Sequence, residues 1–376
     1  MSDQSIQNTV VDKAQEVSKQ IYLEAKEVLE DDTLGFPEIN KEVDIYDVDT
    51  KEVLILVDGI GVKKQSQSRV SKKSANVGAE KEGTEKDSEN TDSFVPTNIV
   101  LLEKKTGDFE HISSAIDKEG EELLPLSDIV KSIVIQEYGI DLEPLNVVAV
   151  TDGAKNIRTL LMAIFGFLVV IILDWYHLRK KVRELMSMIA RNKAEKIEHL
   201  EFLLHHLWHG QTEEVLNYLR TKIKAKNKEK LQELMTYIEK HQEEIIDYDR
   251  RKKAGKEVGL EPEQEDDEVV HNSSSCDTKT VVNLNQEQEA IKTQVKTVKK
   301  IVGSGRVEKA CDSIIGKRQK RKAMSWSKVG SRSLAILKVV ELNHKWLDIW
   351  APKIASNDLQ QAANDPCCSS ELELVA

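Results

Sequence analysis

Three apolar, β-branched runs in this chain end in a carboxylate. VLILVDG reaches Asp58-Gly59, VVAVTDG reaches Asp152-Gly153, and FLVVIILDWYH reaches Asp174 and, three residues on, His177. The end of a buried strand is where an α/β protein places metal ligands or general acid/base groups. Asp-Gly is also the commonest turn dipeptide after a strand, so any one of these aspartates alone reads equally well as a turn. A further acid, Glu308, follows in IVGSGRVEKACDSIIGKRQKRKAMSWSKVGSRSLAIL. There Gly303-Ser304-Gly305 predicts a flexible turn whose serine caps a helix starting near Arg306. Val307, Ala310, Cys311 and Ile314 form the buried stripe of that helix, and Glu308 at its edge can reach inward toward a sheet.

The segment after Glu308 is basic. Lys317, Arg318, Lys320, Arg321 and Lys322 cluster, and between Lys292 and Lys338 fourteen Lys and Arg residues stand against Glu308 and Asp312 alone, in a chain of net charge −11. Neutralising phosphates is the main source of nucleic-acid affinity, so this local reversal of sign predicts a DNA-contacting segment. A solvated basic helix face is the alternative. Trp326 either stacks on an unpaired base or packs, and packing is the favoured expectation.

These residues need elements to hold them. An amphipathic helix over roughly 10–29, with Val11, Ala14, Val17, Ile21 and Ala25 on one stripe, makes residues 1–50 an N-terminal helical arm or remnant. Val53 to Val57 is a strand. Residues 63–92 lose apolar periodicity and predict a disordered insert. Asn98–Glu103 and Phe109–Ile112 read as a hairpin, and Ser127 as the cap of a helix ending at Gly139. The strand Val147–Val150 follows, then a helix Asn156–Phe165 turning at Gly166 into a strand Phe167–Leu173. The order predicts an α/β fold with a mixed sheet. Residues 51–177 form the first part of a core, 178–255 a helical insertion, 256–291 a polar acidic loop, 292–352 the last part of the core, and 353–376 a flexible tail.

Composition narrows the setting. The 376 residues are 40% hydrophobic, 32% charged and 5% aromatic, enough for a proper core together with long solvated stretches. Cysteines at 276, 311, 367 and 368 lack C-x-x-C spacing and the N-terminus is acidic, which argues against a disulfide framework, a zinc ribbon and secretion. The expected location is cytoplasmic. The run 159–173 is shorter than the ~20 apolar residues a membrane span needs and carries a glycine, so no membrane is expected, with a signal anchor as a minor alternative. His205, His206 and His209 have helical ligand spacing but lack the acid of an H-E-x-x-H motif, and read as helix surface and core, with a zinc site as the alternative. His177 reads either as a hydrogen-bonding partner of Asp174 or as a group acting directly.

Asp58-Gly, Thr151-Asp152-Gly-Ala, Gly303-Ser-Gly-Arg-Val-Glu308, Arg318-Gln-Lys320, Met324-Ser-Trp-Ser327, Gly330 and the closing Leu337, Asn343, Trp346 and Trp350 together resemble the DDE transposases of bacterial insertion sequences, in the Kra-type group related to Mutator-like transposases. The resemblance spans about residues 50–352. It implies a ribonuclease H-like fold: the first acid on the first strand, the second just after the fourth, the glutamate on a late helix, and a large helical insertion before it. Asp58, Asp152 and Glu308 would then be both the catalytic and the metal-binding residues, holding two Mg²⁺ (or Mn²⁺) ions. Asp58 would bridge both ions, and Asp152 and Glu308 would each complete one site. Asp174-Trp-Tyr-His177 resembles the Asp/Cys-x-x-His signature of Mutator- and hAT-like transposases, which makes Asp174 and His177 accessory neighbours.

The implied activity is metal-dependent cleavage at element ends and strand transfer into target DNA, by a homo-oligomer in a synaptic complex at the bacterial nucleoid. Members carry a longer N-terminal region for reading element ends, whereas about 50 acidic residues precede Asp58 here. A second expectation is therefore an incomplete transposase remnant that binds DNA without catalysing transposition. The sequence pI of about 5.5 fits a chain without that basic recognition region.

Overall fold

A computed structural model describes residues 3–65, 93–140, 143–256, 258, 305–321 and 324–351. After a long helix α1 (Asp3–Glu30), the first apolar run becomes β1 (Val53–Lys63), the middle strand of a five-stranded mixed sheet. β2 (Phe94–Glu103) and β3 (Phe109–Ile112) continue it as an antiparallel meander on one side. On the other side α2 (Leu126–Tyr138) leads to β4 (Val147–Thr151), parallel to β1, and α3 (Lys155–Phe165) to β5 (Val170–Leu173), parallel to β4. The strand order is β3-β2-β1-β4-β5.

Five helices follow: α4 (Trp175–Ile189), α5 (Lys193–Trp208), α6 (Thr212–Thr221), α7 (Lys228–Lys240) and α8 (Tyr248–Lys253). α9 (Gly305–Cys311) runs through a π-helical turn at Asp312–Gly316 into one last turn, Lys317–Gln319. α10 (Lys328–Leu342) and α11 (Trp346–Trp350) complete the described chain.

Helices cover both faces of the sheet, as buried parallel strands require. On one face α2 and α3 bury Ile129, Val130, Val134, Ile157 and Leu161 against Ile55, Val57 and Ala149. On the other face α4 to α7 and α9 share a single core with Leu56, Val148, Val150 and Ile172. α4 alone buries Trp175, Leu178, Val182, Leu185, Met186 and Ile189, each contributing about 1.5–3 kcal/mol as an upper bound from area transfer. α1 packs against both α2 and α10 and so spans the β3 edge, a protection that edge strands need.

An ion network fastens the helical region to the sheet. Arg251 is fully buried, bonds Glu52 through two nitrogens at 2.9 and 2.7 Å, and donates to the Ile45 carbonyl at 2.9 Å. Lys256 reaches the same glutamate at 2.9 Å.

Several local expectations change. β1 does not stop at Asp58-Gly59: antiparallel pairing with β2 carries it on to Lys63↔Phe94, and only the parallel neighbour β4 drops away. Asp152-Gly153 is a genuine turn, with Gly153 at φ +80°. Pro125, with φ −52°, takes the N-cap position expected for Ser127, which falls in the first turn of α2. Gly166, at φ +66°, ends α3, but a short 3₁₀ turn delays β5 to Val170, where β4 begins to pair with it. The predicted loop residues 66–92 and 259–291, the turn at Gly303-Ser304 and the tail 353–376 lie outside the described residues. Among the described residues no helix is long and apolar enough to cross a membrane. The run 159–173 is divided between α3 and β5.

Candidate active site

Strand pairing assembles the aspartates. β1 and β4 pair up to Leu56↔Val150, and β4 and β5 up to Thr151↔Leu173. Asp58 stands two residues beyond the last β1–β4 pair, and Asp152 and Asp174 one residue beyond the last β4–β5 pair, where the Asp174 N–H still donates to the Thr151 carbonyl at 2.8 Å; Asp152 acts electrostatically on Asp58, and both Asp152 and Asp174 act on His177. Side chains alternate between faces along a strand. Leu54, Leu56, Val148, Val150 and Ile172 point to the face covered by α4 and α9, and the three aspartates share their parity. All three carboxylates thus emerge on one face in one row.

Backbone groups steady each acid. The Gly59 N–H donates to Asp58 Oδ1 at 2.7 Å, and the Ala154 N–H to Asp152 Oδ1 at 2.8 Å. Asp174 caps α4 by accepting the His177 N–H at 3.1 Å. Asp174 is wholly buried, and its Oδ2 has no hydrogen-bond partner among the described residues. Leaving such an oxygen unpaired is costly, so it points to a partner of a different kind.

Glu308 approaches from α9, which lies against β1 and β2 through Val307, Ala310 and Cys311. Its Oε1 is 3.2 Å from Nε2 of His177, whose Nδ1 is 3.5 Å from Asp174 Oδ1. That second separation is too long for a good hydrogen bond, so the pair is chiefly Coulombic. One turn beyond Glu308, the buried Cys311 thiol faces the Asp58 carbonyl at 4.0 Å.

The charges are crowded. Burial pushes the Asp58 carboxyl above its usual range, and the nearby Asp152 adds to it. Burial also pushes Glu308 up, His177 pulls it back, and Asp174 and Asp58 push it further. Asp174, with Glu308 and Asp152, holds the His177 imidazolium above its ordinary range against desolvation. A cation is what such a set of like charges lacks. The donors are hard oxygens, which suit Mg²⁺ or Mn²⁺, and the enclosed Asp174 Oδ2 has unused bonding capacity.

One other group could hold a metal. His209, Asp247 and Asp249 offer ligand atoms within 4.8 Å of one another, the one such group of three among the described residues. Asp58, Asp152 and Glu308 are spread more widely, with Glu308 turned to His177. The Asp249 carboxylate is already engaged by Lys253 at 2.6 Å and the Trp208 indole at 3.4 Å, and Asp247 caps α8. His206 instead bonds Gln211.

The basic segment lies directly beyond the Glu308 helix. Lys317, Arg318, Lys320 and Arg321 are exposed, with Lys317 3.9 Å from Asp312, while Lys322 lies outside the described residues. Lys180 on α4 acts electrostatically on Glu308. Trp326 packs: its indole N–H donates to the Gln319 carbonyl at 3.0 Å, and its backbone bonds Lys63 and Gln65 at 2.9 Å, extending the end of β1. The Gln319 amide is in turn held by Ser331 at 2.6 and 3.0 Å. Ser327 caps α10 by accepting the Gly330 N–H at 3.1 Å.

A further cluster lies beside Asp152 that no sequence signal announces. Arg158, Tyr237, His241 and Glu244 come from α3, α7 and the segment after α7, and no short motif links them. No protein-family model, characterised protein or solved structure matches this chain.

Proposed function

We propose that this protein is a DDE transposase with a ribonuclease H-like core, a metal-dependent DNA strand-cleaving and strand-transferring enzyme. The observation that carries the reading is the row Asp58, Asp152 and Asp174 on the sheet face that also receives Glu308. The first acid within β1, the second just after β4, the glutamate on a late helix and the helices α4 to α8 between them support it.

Asp58, Asp152 and Glu308 would hold two Mg²⁺ or Mn²⁺ ions. When bound, these supply Lewis-acid activation of water or a 3′-hydroxyl and stabilisation of the leaving oxygen. Asp174 and His177 orient Glu308 through the chain of contacts described above. Lys317, Arg318, Lys320 and Arg321 neutralise backbone phosphates and hold the DNA beside the row. Trp326 fixes the base of the basic segment by packing. The protein would act as an oligomer that brings element ends together with target DNA at the nucleoid.

Purified protein incubated with Mn²⁺ and end-labelled fragments of the DNA flanking its gene tests this reading. Site-specific nicks at flanking inverted repeats are expected. Binding without nicking would favour the incomplete remnant, and neither binding nor nicking would overturn both.

A further inference from the structure

The helical region 178–255 does more than cover the sheet. At the end of α7 the chain brings His241 and Glu244, 2% and 3% exposed, against the turn that follows β4. His241 Nδ1 and Glu244 Oε2 are 2.5 Å apart, and Glu244 Oε1 accepts from Arg158 on α3 at 2.6 Å. The Glu244 carbonyl also accepts the Leu173 N–H at 2.9 Å, at the last residue of β5. Both carboxylate oxygens of Glu244 are therefore acceptors. The imidazole must donate through Nδ1.

The Cε1–Nε2 edge of the ring lies on Gly153. A Cβ at Gly153 would stand 2.8 Å from His241 Cε1, 3.3 Å from its Nε2 and 2.9 Å from Leu173 Cδ1. Gly153 is the residue after Asp152, and its amide donates to Thr151 Oγ1 at 3.2 Å. Tyr237 stacks obliquely on His241, with ring centroids 4.8 Å apart. Burial and then the charges of Asp152, Glu244 and Asp174 keep its phenol protonated far above the usual range. The cluster thus closes against the residue that follows Asp152 and against the end of β5.

We propose that Arg158, Glu244 and His241 form a positioning relay for Asp152, through which the helical region sets the affinity of the acid row for a divalent cation. This rests on the metal-site reading above. Arg158 fixes Glu244, Glu244 fixes the tautomer and plane of His241, and the ring holds the Asp152-Gly153 turn in the one conformation that faces Asp58. Such outer partners typically change metal affinity by 10–100-fold.

The test uses the full chain and Mn²⁺ alone, followed by electron paramagnetic resonance. His241→Asn places an amide N–H where Nδ1 stands, whereas His241→Gln places its amide near Nε2 and loses the donor to Glu244. The relay predicts Mn²⁺ affinity within about twofold of wild type for H241N and at least about tenfold weaker for H241Q, with both variants keeping the wild-type far-UV circular dichroism. Equal affinity in the two variants, whether lost or retained, overturns the relay. Asp152→Asn separates the two ideas. If D152N loses Mn²⁺ while H241Q keeps it, the relay falls and the metal site stands; if wild type and D152N bind Mn²⁺ alike, the site itself is wrong.

Discussion

The Glu308 carboxylate sits 3.2 Å from Nε2 of His177 on the opposite element. One histidine thus joins the glutamate of α9 to Asp174 at the end of the sheet. Replacing His177 by Ala should leave strand pairing intact, because its ring is partly exposed and contributes no strand contact. Glu308 would lose the nearer of its cationic neighbours and face Asp174 and Asp58 with Lys180 as the remaining counter-charge. Mn²⁺-dependent nicking is expected to fall by about 10–100-fold, as for loss of an outer partner of a metal ligand, and a His177→Ala protein with wild-type nicking would remove His177 from the site.

Asp58→Asn, Asp152→Asn and Glu308→Gln each remove one ligand and one member of a crowded set of charges. Nicking should drop by at least about 10³-fold in each. The melting temperature without divalent cation should stay level or rise, since one repulsion is gone. Retained cleavage in any of the three would break the assignment, whereas a large fall in melting temperature would instead make that carboxylate part of the scaffold.

The two Asp-Gly pairs should respond unequally to alanine. Gly153 has φ +80° and no room for a Cβ, so Gly153→Ala carries about 1–2 kcal/mol of backbone strain in addition to the clash. Gly59 lies in extended backbone within β1, and its new Cβ would meet two side-chain atoms, the Asn98 oxygen at 3.0 Å and the Asn156 nitrogen at 3.9 Å. Urea denaturation is expected to show a clear loss for the first and less than about 1 kcal/mol for the second. The reverse order would mean that the turn and strand assignments are exchanged.

Arg251→Ala strands Glu52 in a buried position with Lys256 as its remaining ionic partner. Breaking a buried pair from one side costs about 3–5 kcal/mol. Replacing both members with apolar residues of similar size, Arg251→Met with Glu52→Leu, should recover much of that loss. A double-mutant cycle showing independent effects would argue against a shared network.

His111 supplies a pH signature. Its backbone N–H donates to Asn343 Oδ1 at 2.9 Å, and burial holds its imidazole below the ordinary range. Protons therefore bind the unfolded chain in preference. Stability is complete above the unfolded value of about 6.5 and declines as the pH falls through the window down to the folded value. The raised carboxyls of Asp58 and Glu308 act in the opposite sense, so the informative quantity is the difference from His111→Gln. Between about pH 7 and 5 the variant should lose less thermal stability than wild type, and parallel curves would show that His111 does not titrate in this window.

Much of the sheet was legible because β-branched runs bounded by turns are strong local signals. The hairpin strand Phe109–Ile112 agrees at both ends, and α3 starts one residue before the expected Asn156. The continuation of β1 past Asp58-Gly59 was not legible, because it depends on pairing with β2, which a local turn signal cannot weigh. The aspartates and Glu308 were visible as candidates, but their common row follows from two ladder registers that no single segment encodes. Trp326 stood in the basic motif with packing favoured over base stacking, while Gln319 and Ser331 carried no assigned role. Their mutual hydrogen bonds make them internal struts of the segment. The cluster of Arg158, His241 and Glu244 had no signal, since its members meet only after the helical region folds back on β5.

The single row of aspartates imposes a rule on how this sequence can change in length. Because neighbouring residues of a strand face opposite ways, gaining or losing one residue within Val53–Val57, Val147–Thr151 or Val170–Leu173 would carry the carboxylate to the α2/α3 side, away from Glu308. Viable insertions inside these strands come in pairs or are absorbed by a bulge, whereas the stretches joining them are free to drift one residue at a time. Relatives of this protein should therefore vary widely between the aspartates and show even-numbered gaps, or none, in the few residues before each.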